Sequence, residues 1–439
     1  MGQTLLIQNA TAVLPDGVRQ ADVAMMGGQI ARVGAPGKRL DPSGFETVID
    51  AGGLALLPGV IDAHVHFRTP GGEHKEDWDT GSMAALAGGV TTVLDMPNTD
   101  PPTVSLEALG AKRKAVAERA RVHYGLFMGA TRDNLEQVLA ADNIAGLKVY
   151  MGSSTGGLLV HEDGPLARIF ERFPGTLAVH AEDEQIIQAN SLKYRDAVAP
   201  GVHHLIRDHL SARRATERAI GLATRFDRPL HICHMSTAEE LELVRAAADP
   251  RITCEVAPHH LVLTQEALDE MGTLAKMNPP LRTAADCDAL WAGLAAGAIA
   301  CVATDHAPHT LKEKAGSYWQ APSGVPGVQH MLPILLDAAR RGRLSLERVA
   351  EVTAAGPARL FGIQGKGRIA RGYDADLVLV DLTATRTVDR KDVLSKCGWT
   401  PYEGMTLTGW PVVTILDGQV VYERGAFPRR VAGREVRFG

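Results

Sequence analysis

The feature that most constrains the fold is a repeated alternation of short apolar segments with segments of helical periodicity. Most of the apolar runs precede a helical pattern, such as LEALGAKRKAVAERA after the second run and AEELELVRAAA after the sixth. Eight such units over about 300 residues fit a closed (β/α)8 TIM barrel better than an open sheet. The eight β-rich runs are 58–67, 89–96, 122–129, 145–151, 176–182, 229–236, 252–258 and 299–305.

The two ends of the chain share a different pattern. Residues 4–33 and 374–425 alternate apolar and polar positions between glycine turns, and GGQI and DGQVV are hairpin signals. We therefore predict a small β-sandwich domain built from both termini, with residues 1–55 and 365–439 in it. Residues 56–364 are assigned to the barrel.

Composition excludes several classes of partner. The net charge is −5 and no basic run occurs, which argues against nucleic-acid binding. No segment approaches the roughly 18 apolar residues of a membrane span. The N-terminal sequence MGQTLLIQNATAVLP lacks the basic region of a signal peptide, and the five cysteines form no CxxC pair. We expect buried thiols and a cytoplasmic location.

Polar side chains lie at the ends of five of the predicted strands. Catalytic residues of a TIM barrel collect at the carboxyl ends of its strands, so these side chains should meet at one mouth. Each has an ordinary alternative: a histidine packed in the core, a lysine reaching the surface, an aspartate capping a helix. Together they would be too costly to bury without a partner, and a divalent metal supplies one. The residues are His64, His66, Lys148, His180, His234 and Asp305.

Imidazoles and a carboxylate without thiolates suit zinc or a similar first-row metal. Four histidines and one aspartate are many for a single ion that must keep an open position, so two metals fit better. Two metals need a bridging anion, which the Lys148 ammonium cannot be. Reaction of its amine with CO2 would give a carbamate with two oxygens, a plausible step for a buried lysine beside cations.

Five motifs resemble those of the amidohydrolase superfamily. They are DAHVHFR (62–68), GGEHKEDWDTGSMAALAGGVTTVLDMPNT (71–99), LKVYMGSSTG (147–156), KMNPPLR (276–282) and TDHAPH (304–309). The combination is specific, covers nearly the whole chain and is similar to the cyclic amidohydrolase branch, dihydroorotases in particular. Those enzymes interconvert N-carbamoyl-L-aspartate and L-dihydroorotate in pyrimidine biosynthesis.

The resemblance implies a role for each metal-type residue. His64, His66 and Asp305 would hold the more buried of two Zn2+ ions, and His180 and His234 the other. Carboxylated Lys148 and a hydroxide would bridge the two metals. Asp305 would accept the proton of the attacking hydroxide and pass it to the departing amide nitrogen.

Four further residues are expected to bind substrate. Dihydroorotate has a free carboxylate, which a guanidinium recognises with two parallel hydrogen bonds. Arg68 follows His66 by two positions and Asn98 follows the second strand, so both are assigned to that carboxylate; Arg68 pairing with a loop carboxylate is the alternative. His309 would contact the same carboxylate or a ring carbonyl. Asn278 would line the pocket or shape its loop.

Several points stay open at this level. Some dihydroorotases have Asp in place of Lys148, and many relatives have Glu in place of Gln329, so the subclass is undetermined. An allantoinase or a hydantoinase/dihydropyrimidinase would use the same metals, and a non-catalytic scaffold would have lost ligands that are all present here. Segment 310–326 is a lid or a long surface loop, and His259 and His260 could support the site. We expect a homo-oligomer, a dimer or a tetramer, that acts on a small molecule.

Overall fold

The computed structural model describes residues 4–154 and 157–439. The last two residues of the predicted motif 147–156 lie outside that range. The strands are β1 Thr4–Leu14, β2 Gly17–Met26, β3 Gln29–Val33, β4 Thr47–Asp50, β5 Ala55–Pro58, β6 Val60–Val65, β7 Val90–Asp95, β8 His123–Leu126, β9 Met128–Gly129, β10 Leu147–Tyr150, β11 Leu177–His180, β12 Leu230–Ile232, β13 Ile252–Val256, β14 Cys301–Val302, β15 Leu377–Thr387, β16 Thr406–Leu416 and β17 Gln419–Glu423.

The helices lie mainly between the strands of the central part. They are α1 Trp78–Ala87, α2 Leu106–Arg119, α3 Leu135–Leu139, α4 Asp163–Arg172, α5 Glu184–Lys193, α6 His203–Ile206, α7 His209–Phe226, α8 Ala238–Ala247, α9 Pro258–Val262, α10 Ala267–Met271, α11 Ala284–Ala296, α12 Leu311–Lys314, α13 Met331–Arg340, α14 Leu346–Ala350 and α15 Gly356–Leu360. Three 3-10 turns (Pro200–Val202, Gly272–Ala275, Arg390–Asp392) and one π-helical turn (Glu351–Ala355) complete the set.

Strands β6 to β14 form the predicted (β/α)8 barrel. Neighbouring strands pair in parallel in two runs, β6-β7-β8 and β9-β10-β11-β12-β13-β14. Strands β8 and β9 are two parts of the third predicted strand, on either side of Phe127. The last strand meets the first where the His66 N–H donates to the His306 carbonyl at 2.8 Å. Eight parallel strands therefore close on themselves, as the sequence predicts.

The barrel axis is filled by small and medium apolar side chains. Ile61 and Ala63 of β6 share a buried cluster with Leu94 of β7 and Ala178 of β11. Phe361, just beyond α15, belongs to the same cluster and packs edge-on against Phe127 at 5.7 Å between ring centroids. These apolar side chains thus fill the barrel interior, and the polar side chains lie towards the carboxyl ends of the strands.

The two chain ends join in one sheet with the order β17-β16-β15-β5-β1-β2-β3, and β4 also pairs with β1. Strand β5 forms the junction, since Leu377 of β15 lies opposite Pro58. Register shifts in β1 and β15 allow the sheet to bend, and side chains from both ends share one core. Both predicted hairpin turns are present, with φ of 48° at Asp417 and 73° at Gly418. The small β-sandwich domain of both termini is confirmed.

The last residues of the chain leave that sheet and return to the barrel. The Tyr124 N–H donates to the Arg434 carbonyl at 3.0 Å, and the Val436 N–H donates to the Tyr124 carbonyl at 2.8 Å. Val436 lies in the same apolar cluster as the barrel interior. The tail therefore covers the end of the barrel opposite the open mouth.

Two general properties complete the description of the fold. All five cysteines are buried free thiols. Across residues 4–154 and 157–439, every helix is too short or too polar to cross a membrane.

Candidate active site

A narrow cavity opens at the carboxyl ends of the barrel strands. All the residues predicted for the site line it except His309. Arg68, His234 and Asp305 adopt positive φ angles of 60°, 37° and 46°, a strained conformation for residues other than glycine that often marks functional positions. The predicted residues at the wall are His64, His66, Arg68, Asn98, Lys148, His180, His234, Asn278 and Asp305, and they are joined by Tyr150, Ser154, Ala307, Ser323 and Gly324.

The two histidines of the first strand converge on Asp305. His64 Nε2 lies 3.2 Å and His66 Nε2 lies 2.9 Å from the same oxygen, Asp305 Oδ1. Their outer nitrogens are engaged elsewhere: His64 Nδ1 lies 2.6 Å from Glu255 Oε1, and His66 Nδ1 lies 2.6 Å from Asn98 Oδ1. With its proton on Nδ1, His66 turns an Nε2 lone pair towards a carboxylate oxygen, and His64 Nε2 faces the same oxygen, so a proton or a metal cation is needed among them.

The three members of this group differ in their electrostatics. Burial and the Lys148 ammonium oppose protonation of His64, yet the carboxylates of Glu255 and Asp305 prevail and raise the pKa of His64 to about 10. Burial lowers the pKa of His66 to about 4, against the attraction of Asp305. Although burial opposes ionisation of Asp305, His64 and His66 hold the pKa of that carboxyl well below its usual range.

His180 and His234 form a second pair on β11 and just after β12. His180 Nδ1 lies 3.0 Å from His234 Nε2, and His180 Nε2 lies 2.8 Å from Glu182 Oε2. Glu182 is in turn bonded to Arg207. The buried His234 Nδ1 has no hydrogen-bond partner among the described residues. Burial lowers the pKa of both histidines, so neutral nitrogens face each other, as metal ligation requires.

Lys148 lies on β10, fully buried. Its Nζ donates to Cys233 Sγ at 3.0 Å and lies 5.3 Å from the centroid of the Tyr150 ring. Throughout the part of the chain that the structure describes, no carboxylate oxygen comes within 4.0 Å of this Nζ. A buried ammonium without a counter-ion is costly, whereas a carbamate at the same position would have cations to bind.

This donor set fits a metal centre. The ligand atoms of His64, His66 and Asp305 lie within 4.8 Å of one another and are all buried. The set combines imidazole nitrogens with a carboxylate, the ligands that suit zinc and related metals.

Arg68 is a second cationic group at the cavity wall, beside Lys148. Its Nε donates to the Pro308 carbonyl at 3.2 Å, and no carboxylate oxygen of residues 4–154 or 157–439 lies within 4.0 Å of its guanidinium. The alternative that Arg68 pairs with a loop carboxylate is therefore wrong. His309 lies behind it, with Nε2 at 3.3 Å from Arg68 Nη2. Asn278 lines the cavity, and its Oδ1 lies 3.1 Å from His203 Nε2.

Two carboxylates beside the site were not predicted. Glu255 stands in the apolar run ITCEVAP and contacts both His64 and His231. Glu182 follows His180 by two residues and orients it. A charged residue inside a strand-like apolar run is itself a signal, because a buried carboxylate needs a partner.

Segment 310–326 is an ordered loop that carries α12. Lys314 Nζ donates to the carbonyls of Lys276, Pro322 and Gly324 at 2.8, 3.0 and 3.1 Å. Lys276 Nζ donates to the Tyr318 and Ala321 carbonyls at 2.7 and 2.6 Å. The hydrogen bonds of these two lysine ammonium groups therefore hold the loop in place, although its sequence has no helical or strand period. Ser323 and Gly324 of this loop line the cavity.

The remaining predicted positions lie outside the cavity lining. His259 and His260 are buried in α9, where His260 Nε2 lies 3.1 Å from the Pro279 carbonyl. Gln329 donates to the Asp392 carbonyl at 2.7 Å and accepts from the Leu394 N–H at 2.9 Å. These contacts tie Gln329 to the C-terminal region and away from the metal-type residues.

Comparison with known proteins agrees with this geometry. Residues 55–161 and 179–421 match the Amidohydrolase family. The chain is 44% identical to a dihydroorotase of Halobacterium salinarum over 97% of this chain and 98% of that protein. It is 37% identical to an allantoinase of Rubrobacter xylanophilus over 98% and 97% of the two chains. An L-hydantoinase (dihydropyrimidinase) from Arthrobacter aurescens superposes with a TM-score of 0.94 at 31% identity, covering 100% of both chains.

Proposed function

The chain belongs to the amidohydrolase family, and we propose that it is a dihydroorotase, which interconverts N-carbamoyl-L-aspartate and L-dihydroorotate in pyrimidine biosynthesis. One observation carries the choice of substrate: the buried Arg68 guanidinium lines the same cavity as the metal-type residues and has no carboxylate partner among the described residues. A cyclic amide with a carboxylate supplies that partner. Relatives with the name dihydroorotase from Halobacterium salinarum, Methanosarcina mazei and Bacillus subtilis support the proposal.

The proposed cofactor is a pair of Zn2+ ions. His64, His66 and Asp305 would hold one and His180 and His234 the other, with carboxylated Lys148 and a hydroxide between them. When bound, such a pair supplies an activated water and a Lewis acid for the amide carbonyl. The support in this chain is the convergence of His Nε2 atoms on Asp305 and the pairing of His180 Nδ1 with His234 Nε2.

Asp305 is the proposed proton carrier. His64 of β6 and His66, which follows that strand, both contact Asp305 Oδ1. The pKa of Asp305 lies well below the usual range. The carboxylate therefore stays ionised, which leaves an unprotonated oxygen to face the attacking water. Returning that proton to the ring nitrogen completes hydrolysis, and the reverse order serves ring closure.

The carboxylate of the substrate would lie against Arg68. Arg68 lines the cavity, and the hydrogen bond from its Nε to the Pro308 carbonyl fixes the plane of the guanidinium. Asn98 is proposed to bind the same carboxylate beside it, since its Oδ1 accepts from His66 and so orients the amide. His309 supports Arg68 from behind, and Asn278 is proposed to contact the ring.

Substrate turnover tests this proposal. The protein reconstituted with zinc is assayed with dihydroorotate and carbamoyl aspartate beside hydantoin and allantoin, and we expect the first two to give the higher kcat/KM. Faster turnover of hydantoin or allantoin would replace the proposal by the corresponding activity. A purified protein without tightly bound divalent metal would favour a non-catalytic scaffold.

The setting of the enzyme is also part of the proposal. Five buried reduced cysteines support the cytoplasm. A homo-oligomer, a dimer or a tetramer, is supported by exposed apolar side chains such as Leu192, Val198 and Trp319. Size-exclusion chromatography with light scattering measures that state directly.

A further inference from the structure

A column of four polar side chains runs from the cavity wall to the surface behind Arg68. Arg68 Nη2 lies 3.3 Å from His309 Nε2, and His309 Nδ1 lies 3.2 Å from Lys75 Nζ. Lys75 Nζ continues to Glu313 Oε1 of α12 at 2.9 Å. His309 is buried, whereas the side chain of Lys75 is 19% exposed.

The identity of these partners determines the tautomer of His309. Lys75 and Arg68 both only donate hydrogen bonds, and a neutral ring has one lone pair to offer them. The Ser323 carbonyl, 3.1 Å from Nε2, is an acceptor and decides between them: with the proton on Nε2, the ring donates to Ser323 and accepts from Lys75 at Nδ1. Burial, followed by the positive charges of Arg68 and Lys75, lowers the pKa of His309 and keeps the ring neutral.

This tautomer affects what Arg68 can offer. With a proton on Nε2, His309 cannot accept from Arg68 Nη2, so two donors stand side by side at 3.3 Å. The opposite tautomer would present a lone pair there and take up one N–H of the guanidinium. Lys75 therefore keeps that N–H available for a ligand in the cavity.

Glu313 holds Lys75 in place. Its Oε2 accepts from the N–H and hydroxyl of Thr310, both at 2.9 Å, so its Oε1 is presented to Lys75 from the start of α12. The lysine is thereby fixed between a carboxylate and an imidazole rather than left to solvent.

We propose that Lys75 is a positioning residue for substrates that carry a carboxylate. It fixes His309 as the Nε2–H tautomer, so that the N–H of Arg68 Nη2 donates to that carboxylate and not to His309. The inference rests on the proposed function, because it assigns the same anion to Arg68. It adds a residue that lies outside the cavity lining and acts through two others.

The tautomer is measured by NMR of the zinc-loaded protein labelled with 15N-histidine, with the His309 signals assigned by their loss in His309→Asn. We expect a protonated Nε2 in the wild type and in Lys75→Arg, whose guanidinium also only donates. In Lys75→Met, a shift of the proton towards Nδ1 is expected. A wild-type ring protonated on Nδ1 would overturn the proposal.

Kinetics supply the second readout. Lys75→Met should raise KM for dihydroorotate about tenfold, the scale of one hydrogen bond to a charged group, with a much smaller change in kcat. KM for dihydrouracil, which lacks the carboxylate, should stay the same. The matched control is Lys396→Met, because Lys396 also pairs with a carboxylate, Asp77 Oδ2, at 2.5 Å but does not touch His309.

The outcomes separate the two proposals. If the wild type prefers neutral cyclic amides, the proposed function fails, while the tautomer shift in Lys75→Met still decides the role of Lys75. If dihydroorotate is the preferred substrate but Lys75→Met changes neither the tautomer nor KM, the inference on Lys75 alone is refuted. Recovery of KM in Lys75→Arg supports it.

Discussion

Replacement of Arg68 by methionine is the sharpest test of the proposed carboxylate site. Because Arg68 Nε already donates to the Pro308 carbonyl, the substrate would lose its hydrogen bonds to the Nη groups of Arg68. Two charge-assisted hydrogen bonds at about 1.5 kcal/mol each sum to roughly 3 kcal/mol. Since about 1.4 kcal/mol corresponds to a factor of ten, KM for dihydroorotate should rise roughly 100-fold.

The rise should be confined to substrates with a carboxylate. Arg68 makes no ion pair with Asp305 within 4.0 Å in the part of the chain that the structure describes, so kcat and bound zinc should change little. Steady-state kinetics with dihydroorotate and dihydrouracil, beside metal analysis, measure these quantities. The control is Arg348→Met, which removes a guanidinium that donates to the Leu294 and Ile299 carbonyls away from the cavity. An unchanged KM for dihydroorotate, or an equal loss with dihydrouracil, would refute the reasoning.

Three further predictions follow from the site and its surroundings. Lys148→Ala should lose most activity and much of the bound metal, as measured by mass spectrometry of metals, and full activity would contradict the carbamate. Glu255→Gln should weaken metal binding by about 10- to 100-fold in chelator competition, because Glu255 orients His64. The control variant Glu347→Gln, at an exposed position, should bind metal as the wild type does. Equal metal affinities of the two variants would contradict the role of Glu255. Burial, Arg207 and Lys276 lower the pKa of His203 from 6.5 to about 3, so the unfolded chain binds this proton first and the wild type loses stability as the pH falls from about 6.5 towards 3. The Tm of His203→Gln should therefore drop less than that of the wild type between about pH 7 and pH 5, and parallel Tm profiles would refute the assignment.

Local sequence patterns were sufficient for the architecture. A strand shows itself in a short apolar run and a helix in its spacing of apolar residues, and both depend on neighbours in the chain. The eight predicted runs therefore became the eight barrel strands, and the hairpin signals at Gly28 and Gly418 marked the terminal sheet. The third strand is interrupted at Phe127, a detail of hydrogen bonding that its apolar run does not reveal.

The conformation of segment 310–326 could not be predicted from such patterns. Its polar, turn-rich sequence was compatible with a lid or a surface loop. Its order comes from Lys314, which lies within it, and from Lys276, which lies 45 residues before Ala321 in the chain. The sequence does not distinguish a lysine that donates to buried carbonyls from a lysine in solvent, so it could not predict these hydrogen bonds.

The residue types at the strand ends determined, by themselves, that a metal site should form at one mouth of a barrel. The closed parallel barrel brings all its carboxyl ends together, and nine of the ten predicted site residues line the cavity there. Only the tertiary structure decided which nitrogen of each histidine faces inward and which group holds the other. Those partners are distant in the chain, 191 positions apart for His64 and Glu255 and 241 for Arg68 and His309. A pattern of neighbours fixes the faces of a strand, but hydrogen-bond partners and tautomers depend on atoms that meet only when the barrel closes.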